Sequence, residues 1–254
     1  MATKIDWADE TWNPITGCTP ISEGCQNCYA KRMANRLRGR FGYPDDEPFS
    51  VTFHIEKLNK PLKWKKPRKI FVCSMGDLFH DDVETWELDR IFDRVLYDGI
   101  SHHTWMILTK RPRRMMGYFQ YLDDMQSSFD NVWLGVTAEN QKRADERIPI
   151  LLQIPAAVRF VSVEPMLGPI NLRWVMYAHE ATGETYRQYL ERKGSYNQYE
   201  ALRQLDWVIA GPETGPGARE CKPEWIESLY EQCRAAGVPF FDKRKDYLVR
   251  EFPR

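Results

Sequence analysis

Short apolar runs rich in β-branched and aromatic residues recur along the chain, and this pattern limits the fold more than any other feature. The runs are KIFVCS at 69–74, WMILT at 105–109, VWLGVT at 132–137, RFVSV at 159–163, WVIAG at 207–211 and VPFFD at 238–242. They are almost continuously hydrophobic, as strands of a parallel sheet buried on both faces are. Most begin about 27–36 residues apart, which is the length of one β–α unit.

Helical patterns lie between these runs. Residues 84–97 carry Trp86, Ile91, Phe92, Val95 and Leu96 on one face, and residues 223–236 begin with a proline and stop before a glycine. With a first strand near TWNPIT, the pattern predicts an α/β fold, a partial (β/α) TIM-like barrel of about six to seven parallel strands. We expect a single domain over residues 1–254, with an irregular excursion at 40–66 and a polar helical insertion at 175–204.

Polar segments follow the predicted strands. They read CSMGDLFHDD, LTKRPRR, VTAENQ, VEPMLGP and AGPETGPGAR. Because the carboxyl ends of parallel barrel strands meet at one rim, which is where such folds carry their sites, the sequence predicts that these polar residues form a functional rim.

Three of the six cysteines, Cys18, Cys25 and Cys28, lie within eleven residues with the spacing C-x6-C-x2-C. The first residues lack the apolar core of a secretory signal, and no run approaches the roughly 18 apolar residues of a membrane span. We therefore expect a cytoplasmic protein, not bound to a membrane, with reduced thiols. Such a cluster of thiolates favours zinc, copper(I) or an iron–sulfur cluster. Zinc would need a fourth ligand, for which His54 or His80 is available, whereas a [4Fe–4S] cluster on three cysteines leaves one iron open.

Together these segments resemble the radical S-adenosylmethionine (SAM) superfamily, and more closely its phage-borne three-Cys-motif family. The motifs that carry the resemblance are WNPITGC…GCQNCYA, SMGDLFH, LTKRP, GVTAEN, SVEPMLGPI and WVIAGPETGPGAR…PEW…QC…AGVPFF. They cover most of the chain except 175–204. The first cysteine gap is three residues longer than the superfamily's common C-x3-C-x2-C, and Asn27 stands where an aromatic residue usually precedes the third cysteine.

The resemblance implies a radical SAM core that binds a [4Fe–4S] cluster on Cys18, Cys25 and Cys28, with SAM as the second cofactor. In that superfamily the reduced cluster cleaves SAM to methionine and a 5′-deoxyadenosyl radical, which abstracts hydrogen from an unactivated carbon. An electron donor such as flavodoxin or ferredoxin is implied as a partner.

The resemblance also implies a role for individual polar residues. Cofactor-binding residues would be Ser74, Gly76 and Asp77 for the SAM amino group, Lys110 for its carboxylate, Thr137, Glu139 and Asn140 for the ribose hydroxyls, and Tyr29 near the adenine. Glu164 and Glu213 would be the catalytic residues that face the substrate.

Ordinary structural explanations stand beside these roles. Asp77 could cap a helix, Lys110 could pair with acids, and Glu164 or Glu213 could serve structural ion pairs. The remaining thiols are expected to be core residues at Cys73 and Cys233 and a lone loop residue at Cys221.

Charge bears on the substrate. Net charge is zero, with 36 basic and 36 acidic residues, but bases without acids fill 31–40, 57–69 and 110–114. Solvated faces would explain these runs, and so would a surface for a phosphate backbone. The phage-borne family implies a modified pyrimidine of phage DNA as the substrate, in the host cytoplasm, with rearrangement of a base substituent as one possible reaction. The alternatives are a radical SAM enzyme for a peptide or small molecule, a zinc–thiolate binding module, and a barrel hydrolase with structural cysteines.

Overall fold

A computed structural model describes residues 5–96, 102–124, 129–174, 200–244 and 249–253. The chain divides into two compact units, Met1–Gly135 with Pro155–Ala157, and Val136–Ile154 with Val158–Arg254. Within the described ranges, no helix has the length and apolar character that crossing a membrane requires.

The first unit begins with two short strands, Glu10–Trp12 (β1) and Ile15–Thr16 (β2), followed by the helix Tyr29–Arg36 (α1) and the strand Thr52–Phe53 (β3). It continues with Lys69–Val72 (β4), Thr85–Leu96 (α2), Thr104–Thr109 (β5), Pro112–Asp124 (α3) and Val132–Thr137 (β6), a strand that contains the unit boundary. The second unit contains Gln141–Leu151 (α4), Val158–Val163 (β7), Glu200–Arg203 (α5), Trp207–Ala210 (β8), Pro223–Ala236 (α6) and Phe240–Asp242 (β9).

Of the nine strands within the described ranges, seven form one sheet in the order β1-β4-β5-β6-β7-β8-β9. In the first unit β4 pairs in parallel with β1 and β5, and in the second β8 pairs in parallel with β7 and β9. All four residues of β8 are buried, as expected of a strand covered on both faces. The predicted α/β class and the predicted strands at 69–74, 105–109, 132–137, 159–163, 207–211 and 238–242 are confirmed to within a few residues at either end.

The predicted first strand at 11–16 is found as two strands in different sheets. Pro14 lies between them and has no backbone N–H, so the β1 ladder cannot continue through it. β2 instead pairs antiparallel with β3, which lies in the excursion at 40–66. That excursion is therefore partly regular, and the Trp12 indole N–H attaches it to β1 by donating to the Lys57 carbonyl at 2.8 Å.

The helices follow the predicted patterns with one exception. α6 carries Ile226, Leu229 and Cys233 on its buried face and ends at Gly237, which adopts a φ of +73°. α2 buries Ile91, Phe92 and Val95, but the assignment of Trp86 to that face is wrong because its side chain is 54% exposed.

Trp86 lies in the first turn of α2 and makes an edge contact with Phe53 of β3, at 5.4 Å between ring centroids. Of the predicted insertion at 175–204, residues 175–199 lie outside the described residues, and α5 occupies 200–203. The single domain over 1–254 stays a prediction.

Candidate functional site

Two glycines attach the three-cysteine loop to the carboxyl end of β4. The Gly17 N–H donates to the Met75 carbonyl at 2.9 Å, and Gly17 and Gly76 form an isolated parallel bridge. A Cβ atom on Gly76 would lie 2.8 Å from the Gly17 carbonyl oxygen, and Gly17 itself has a φ of +87°. This close approach of two backbones requires glycine and brings Cys18 to the end of the strand.

Two other segments of the same unit hold the beginning of the loop. Arg111, which follows β5, directs Nη1 to the Cys18 Sγ at 3.4 Å and Nη2 to the Thr19 carbonyl and hydroxyl oxygens at 3.2 and 3.1 Å. His80 accepts a hydrogen bond from the Thr19 N–H at 3.2 Å. The position of Cys18 is therefore determined by side chains that follow two neighbouring strands.

Asp77 orients the residues that follow β5. Its buried carboxylate accepts hydrogen bonds from the Thr109 hydroxyl at 2.6 Å, the Phe79 N–H at 3.0 Å and the Lys110 N–H at 3.1 Å. Arg111 Nη1 donates to the same carboxylate at 3.2 Å. Asp77, predicted to bind the SAM amino group, thus lies within an internal network whose last member contacts Cys18.

Lys110 extends toward the second cysteine. Its Nζ lies 3.7 Å from the Cys25 Sγ and 3.5 Å from the Ser22 hydroxyl. Burial alone would raise the pKa of Cys25, but the Lys110 charge and hydrogen bonds from Ile21 and Ser22 lower it below the ordinary thiol value. Lys110, predicted to pair with the SAM carboxylate, therefore stabilises a thiolate at Cys25.

The pKa of Cys18 is shifted in the opposite direction to that of Cys25, although Cys18 also has a cationic neighbour. Burial, and then the negative charge of Asp77, raise the pKa of Cys18 to about 11, and Arg111 offsets only part of that rise. Burial and Asp77 therefore favour the protonated thiol at Cys18, and ligation of a metal there would displace that proton.

Cys28 is in an apolar environment. It precedes the first residue of α1 and packs, half-buried, against a cluster formed by Ala30, Ala34, Tyr43 and Met75. The helix α1 begins at Tyr29, after a 3₁₀ turn at Glu23–Cys25. The three thiols thus share one loop but differ in their neighbours.

The other predicted cofactor-binding residues of this unit border the loop. Ser74 donates its hydroxyl hydrogen to the Asn13 side-chain oxygen at 3.2 Å, in the turn that also contains Gly76. Tyr29 is exposed at the start of α1. Cys73 is buried, as predicted for a core residue.

The arrangement of donors distinguishes a single ion from a cluster. Among the side chains that the structure describes, no three of His, Cys, Asp or Glu converge closely enough to hold one metal ion. In a [4Fe–4S] cluster each cysteine binds a different iron, so the thiols need not converge on one point. Three half-buried thiols on one loop, two of them beside cationic N–H donors, fit such a group.

In the second unit, three predicted ribose-binding residues take part in local structure. Glu139 is fully buried and pairs with Arg147 at 3.0 Å, and Arg147 also donates to the Thr137 carbonyl at 2.7 Å. The Asn140 side-chain oxygen accepts from the Arg143 N–H at 3.1 Å and caps α4. These contacts account for the Glu139 and Asn140 side chains without a ligand, whereas the contact to Thr137 involves its backbone carbonyl.

The two predicted catalytic glutamates each pair with a base. Lys243 Nζ contacts both Glu164 carboxylate oxygens, at 2.6 and 2.7 Å, and both side chains are about a quarter exposed, at 23% and 27%. Glu213 receives hydrogen bonds from the Arg219 backbone N–H and side-chain Nε, both at 2.9 Å, and is almost completely buried. Of the two, Glu164 is the more accessible.

Sequence reasoning missed Lys243, which lies directly after β9. The polar run KRKD follows the strand VPFFD in the same way that the other polar segments follow theirs, so the same rule applied to the last strand would have found it. Gly211 makes room for this lysine, because a Cβ there would lie 2.9 Å from the Lys243 Cβ. The neighbouring Arg244 donates to the Asp242 carboxylate from Nε, at 3.1 and 3.0 Å to the two oxygens, and from Nη2, at 2.7 Å to Oδ2. It was missed for the same reason.

The family model described as "Protein of unknown function (DUF5131)" matches residues 2–250. No curated protein and no solved structure matches the chain. Because the match covers nearly the whole sequence, the chain belongs to the DUF5131 family.

Proposed function

We propose that this protein is a radical SAM enzyme that holds a [4Fe–4S] cluster on Cys18, Cys25 and Cys28. The observation that carries the proposal is the donor set of the loop: three half-buried thiols, with Arg111 and Lys110 directed at two of the sulfurs. Cationic donors beside thiolates are the environment that stabilises thiolate ligands and their bound metals.

When bound, the reduced cluster would supply the electron that cleaves SAM, giving the 5′-deoxyadenosyl radical that removes hydrogen from the substrate. The chain's own residues would bind the cluster and orient its ligands. Arg111 and Lys110 offset the negative charge of the thiolates, Asp77 fixes Arg111, and the pair Gly17–Gly76 fixes the loop at the end of β4. A low-potential carrier such as flavodoxin or ferredoxin would be the electron donor.

The fold supports the same proposal. Seven strands in sequential order, with helices between successive strands, are compatible with the partial (β/α) barrel of a radical SAM core. The three-cysteine loop, Asp77 and Lys110 all follow strands of the first unit and so lie beyond the carboxyl ends of those strands. The carboxyl ends of the strands are where (β/α) barrels carry their functional sites.

For the substrate we propose a modified nucleobase of phage-type DNA. Lys63, Lys65 and Lys66 are exposed on the basic stretch at 57–69, where they are available to a phosphate backbone. In the second unit, Glu164 with Lys243 is our candidate for a substrate-facing pair, because it is partly exposed and bears both charges. A base within a duplex would have to be flipped out or presented unpaired.

The zinc–thiolate alternative has less support. His54 and His80 were its candidates for the fourth ligand, and both rings contact polar atoms of the chain. His54 Nε2 lies 2.8 Å from the Thr16 hydroxyl, and His80 is engaged by Thr19 through Nε2 and by the Asp82 N–H through Nδ1.

The test is anaerobic reconstitution of the protein with iron and sulfide, followed by SAM and dithionite, with mass spectrometry for 5′-deoxyadenosine. We expect that product only when iron, sulfide, SAM and reductant are all present. The Cys28→Ala variant treated in the same way is the control and should give none. A protein that binds zinc but no iron and sulfide would contradict the proposal. Adding modified DNA, a peptide mixture or free nucleosides to the working assay then distinguishes the substrate classes.

A further inference from the structure

We propose that Arg111 and Asp77 set the reduction potential of the cluster bound by the three-cysteine loop, Arg111 raising it through Cys18 and Asp77 lowering it. The inference rests on the proposed function and deepens it, because it assigns the control of electron uptake to two named side chains. Neither is a ligand. Each is a positioning residue that acts on the bound group through the Cys18 sulfur.

The first observation is the placement of Arg111 at a ligand sulfur. Its Nη1 lies 3.4 Å from the Cys18 Sγ, within range of an N–H···S hydrogen bond. Hydrogen bonds to the sulfurs are among the factors that set the potential of an iron–sulfur cluster. A cationic donor stabilises the added negative charge of the reduced state, so its removal should make the cluster harder to reduce.

The second observation is the burial of this charge. The Arg111 and Asp77 side chains are only 7% and 8% exposed. Charges that are largely removed from water are screened weakly, so each acts on the sulfur more strongly than a surface charge at the same distance would. Asp81, which lies 3.7 Å from the Arg111 Nε, is 80% exposed and contributes little.

The third observation is that a fixed anion opposes the arginine. The Asp77 carboxylate lies 3.2 Å from Arg111 Nη1 and is held in place by the Thr109 hydroxyl and the Lys110 N–H. Its negative charge disfavours a further electron nearby. The two residues therefore have opposite expected effects on the potential, although both belong to one hydrogen-bonded network.

Of the two cations at the loop, Arg111 is held more firmly beside a cysteine sulfur than Lys110 is. Lys110 approaches Cys25 at a longer 3.7 Å, and its Nζ also contacts Ser22. Arg111 instead donates to Cys18 and Thr19 while paired with Asp77, so that its guanidinium has one orientation. A planar donor held at three places is suited to keep one N–H at the sulfur.

The experiment is a potentiometric titration of the reconstituted, full-length protein, followed by the EPR signal of the reduced cluster, together with iron and sulfide content. The variants are Arg111→Met, Arg111→Lys and Asp77→Asn, and the control is Arg113→Met, which removes an exposed arginine two residues away. We expect Arg111→Met to reduce the equilibrium constant for one-electron reduction at least tenfold, which is 59 mV.

Arg111→Lys should shift the potential less, because it keeps the charge. Asp77→Asn should raise the potential, and Arg113→Met should leave it unchanged. A purely structural role would instead lower the cluster content of both variants and shift any remaining signal in the same direction. Opposite shifts at intact iron and sulfide content are therefore the signature of electrostatic control.

An unchanged potential in Arg111→Met, or shifts of the same sign in Arg111→Met and Asp77→Asn, would overturn the inference and leave the proposed function standing. If Arg111→Met takes up no cluster, Asp77→Asn decides: a rise supports the inference, and a fall or no change overturns it. Wild-type protein that binds no iron and sulfide would overturn the proposed function, and this inference with it.

Discussion

Three cysteines on one loop differ in their neighbours, and their chemistry follows from that difference. Cys18 and Cys25 each have a cationic donor at the sulfur, whereas Cys28 lies against an apolar cluster. The sequence predicted the thiols as a set of ligands from their spacing. It could not predict which basic side chain contacts which thiol. That depends on Asp77, in the segment after β4, whose carboxylate holds Arg111 in place.

The ligand assignment makes the first prediction. Changing Cys18, Cys25 or Cys28 singly to alanine should abolish the broad absorbance at about 400 nm that iron–sulfur charge transfer gives, because in the proposed cluster each thiolate would bind its own iron. Iron and sulfide analysis after anaerobic reconstitution is the accompanying measurement.

The other three cysteines provide the controls. Cys73 and Cys233 are buried and Cys221 lies half-buried beyond β8, away from the loop in sequence. Alanine at any of them should leave the absorbance and the iron content intact. Loss of the cluster in one of these variants would show that the ligand set is wrong.

A second prediction at the residue scale concerns Glu139, one of the predicted ribose-binding residues. It is fully buried and paired with Arg147, whose side chain is buried as well. Glu139→Gln should lower the free energy of unfolding by about 3–5 kcal/mol, because it removes the buried negative charge that faces a buried guanidinium at 3.0 Å. Urea denaturation measures this change.

Glu146→Gln is the matched control. Glu146 pairs with Arg143 on the exposed side of the same helix, at 2.7 Å, and exposed pairs contribute at most about 1 kcal/mol. If Glu139→Gln is as mild as Glu146→Gln and instead weakens SAM binding, Glu139 is a ligand-binding residue rather than a structural one.

At the scale of elements, the strands were predictable because each is a run of apolar residues with a fixed period. The strand predicted at 11–16 is divided into β1 and β2 at Pro14, where the missing backbone N–H ends the β1 ladder. The excursion at 40–66 was unpredictable in detail because β3 has only two residues and is stabilised by pairing with β2 rather than by its own pattern. The contact of Trp86 with the ring of Phe53 was likewise unpredictable, because Phe53 is distant in sequence.

The close approach of two elements gives the third prediction. Gly76→Ala should destabilise the protein by about 1–3 kcal/mol, because the new Cβ would lie 2.8 Å from the backbone oxygen of Gly17 and the loop would have to move. Thermal or urea unfolding measures the loss, and a reduced iron content after reconstitution would accompany it.

Gly117 in α3 provides the opposite control. A Cβ there meets nothing within 4 Å, and the position is an exposed helix interior. Gly117→Ala should therefore stabilise the protein by about 0.5–1 kcal/mol. Equal effects of the two substitutions would contradict the steric argument for Gly76.

At the scale of the whole molecule, the even balance of acids and bases conceals a local excess of charge. Within the stretch at 57–69, Lys57 and Lys60 donate to backbone carbonyls and Arg68 pairs with Glu10. Contacts with residues that are distant in sequence thus engage part of the stretch. Lys63, Lys65 and Lys66 remain exposed.

These three lysines make the fourth prediction. If the substrate is presented on DNA, binding should weaken steeply with salt, and reversing all three to glutamate should reduce the slope by about 0.9 for each phosphate that a lysine no longer neutralises. Fluorescence anisotropy with modified duplex and single-stranded DNA measures both slopes. Lys142→Glu, on the exposed side of α4, should leave the slope unchanged. Binding that does not depend on salt would remove DNA as the partner.

The sequence predicted the parts of the candidate site better than their pairings. Residue types after each strand were sufficient to select Asp77, Lys110, Glu164 and Glu213. Their contacts were not predictable. Glu213 pairs with Arg219, six residues away, whereas Glu164 pairs with Lys243, which is far along the chain, and sequence distance does not indicate which base pairs with which glutamate.

The anchoring of the three-cysteine loop has a consequence for how such chains can diverge. One end is fixed at Gly17 and Cys18, and the other by the 3₁₀ turn that ends at Cys25, while Pro20 and Ile21 between them are exposed. Adding residues to a loop whose ends are fixed costs only chain entropy, about 0.6 kcal/mol for each doubling of its length. This short span can therefore lengthen, or change its outward side chains in a designed library, while the sulfurs keep their places.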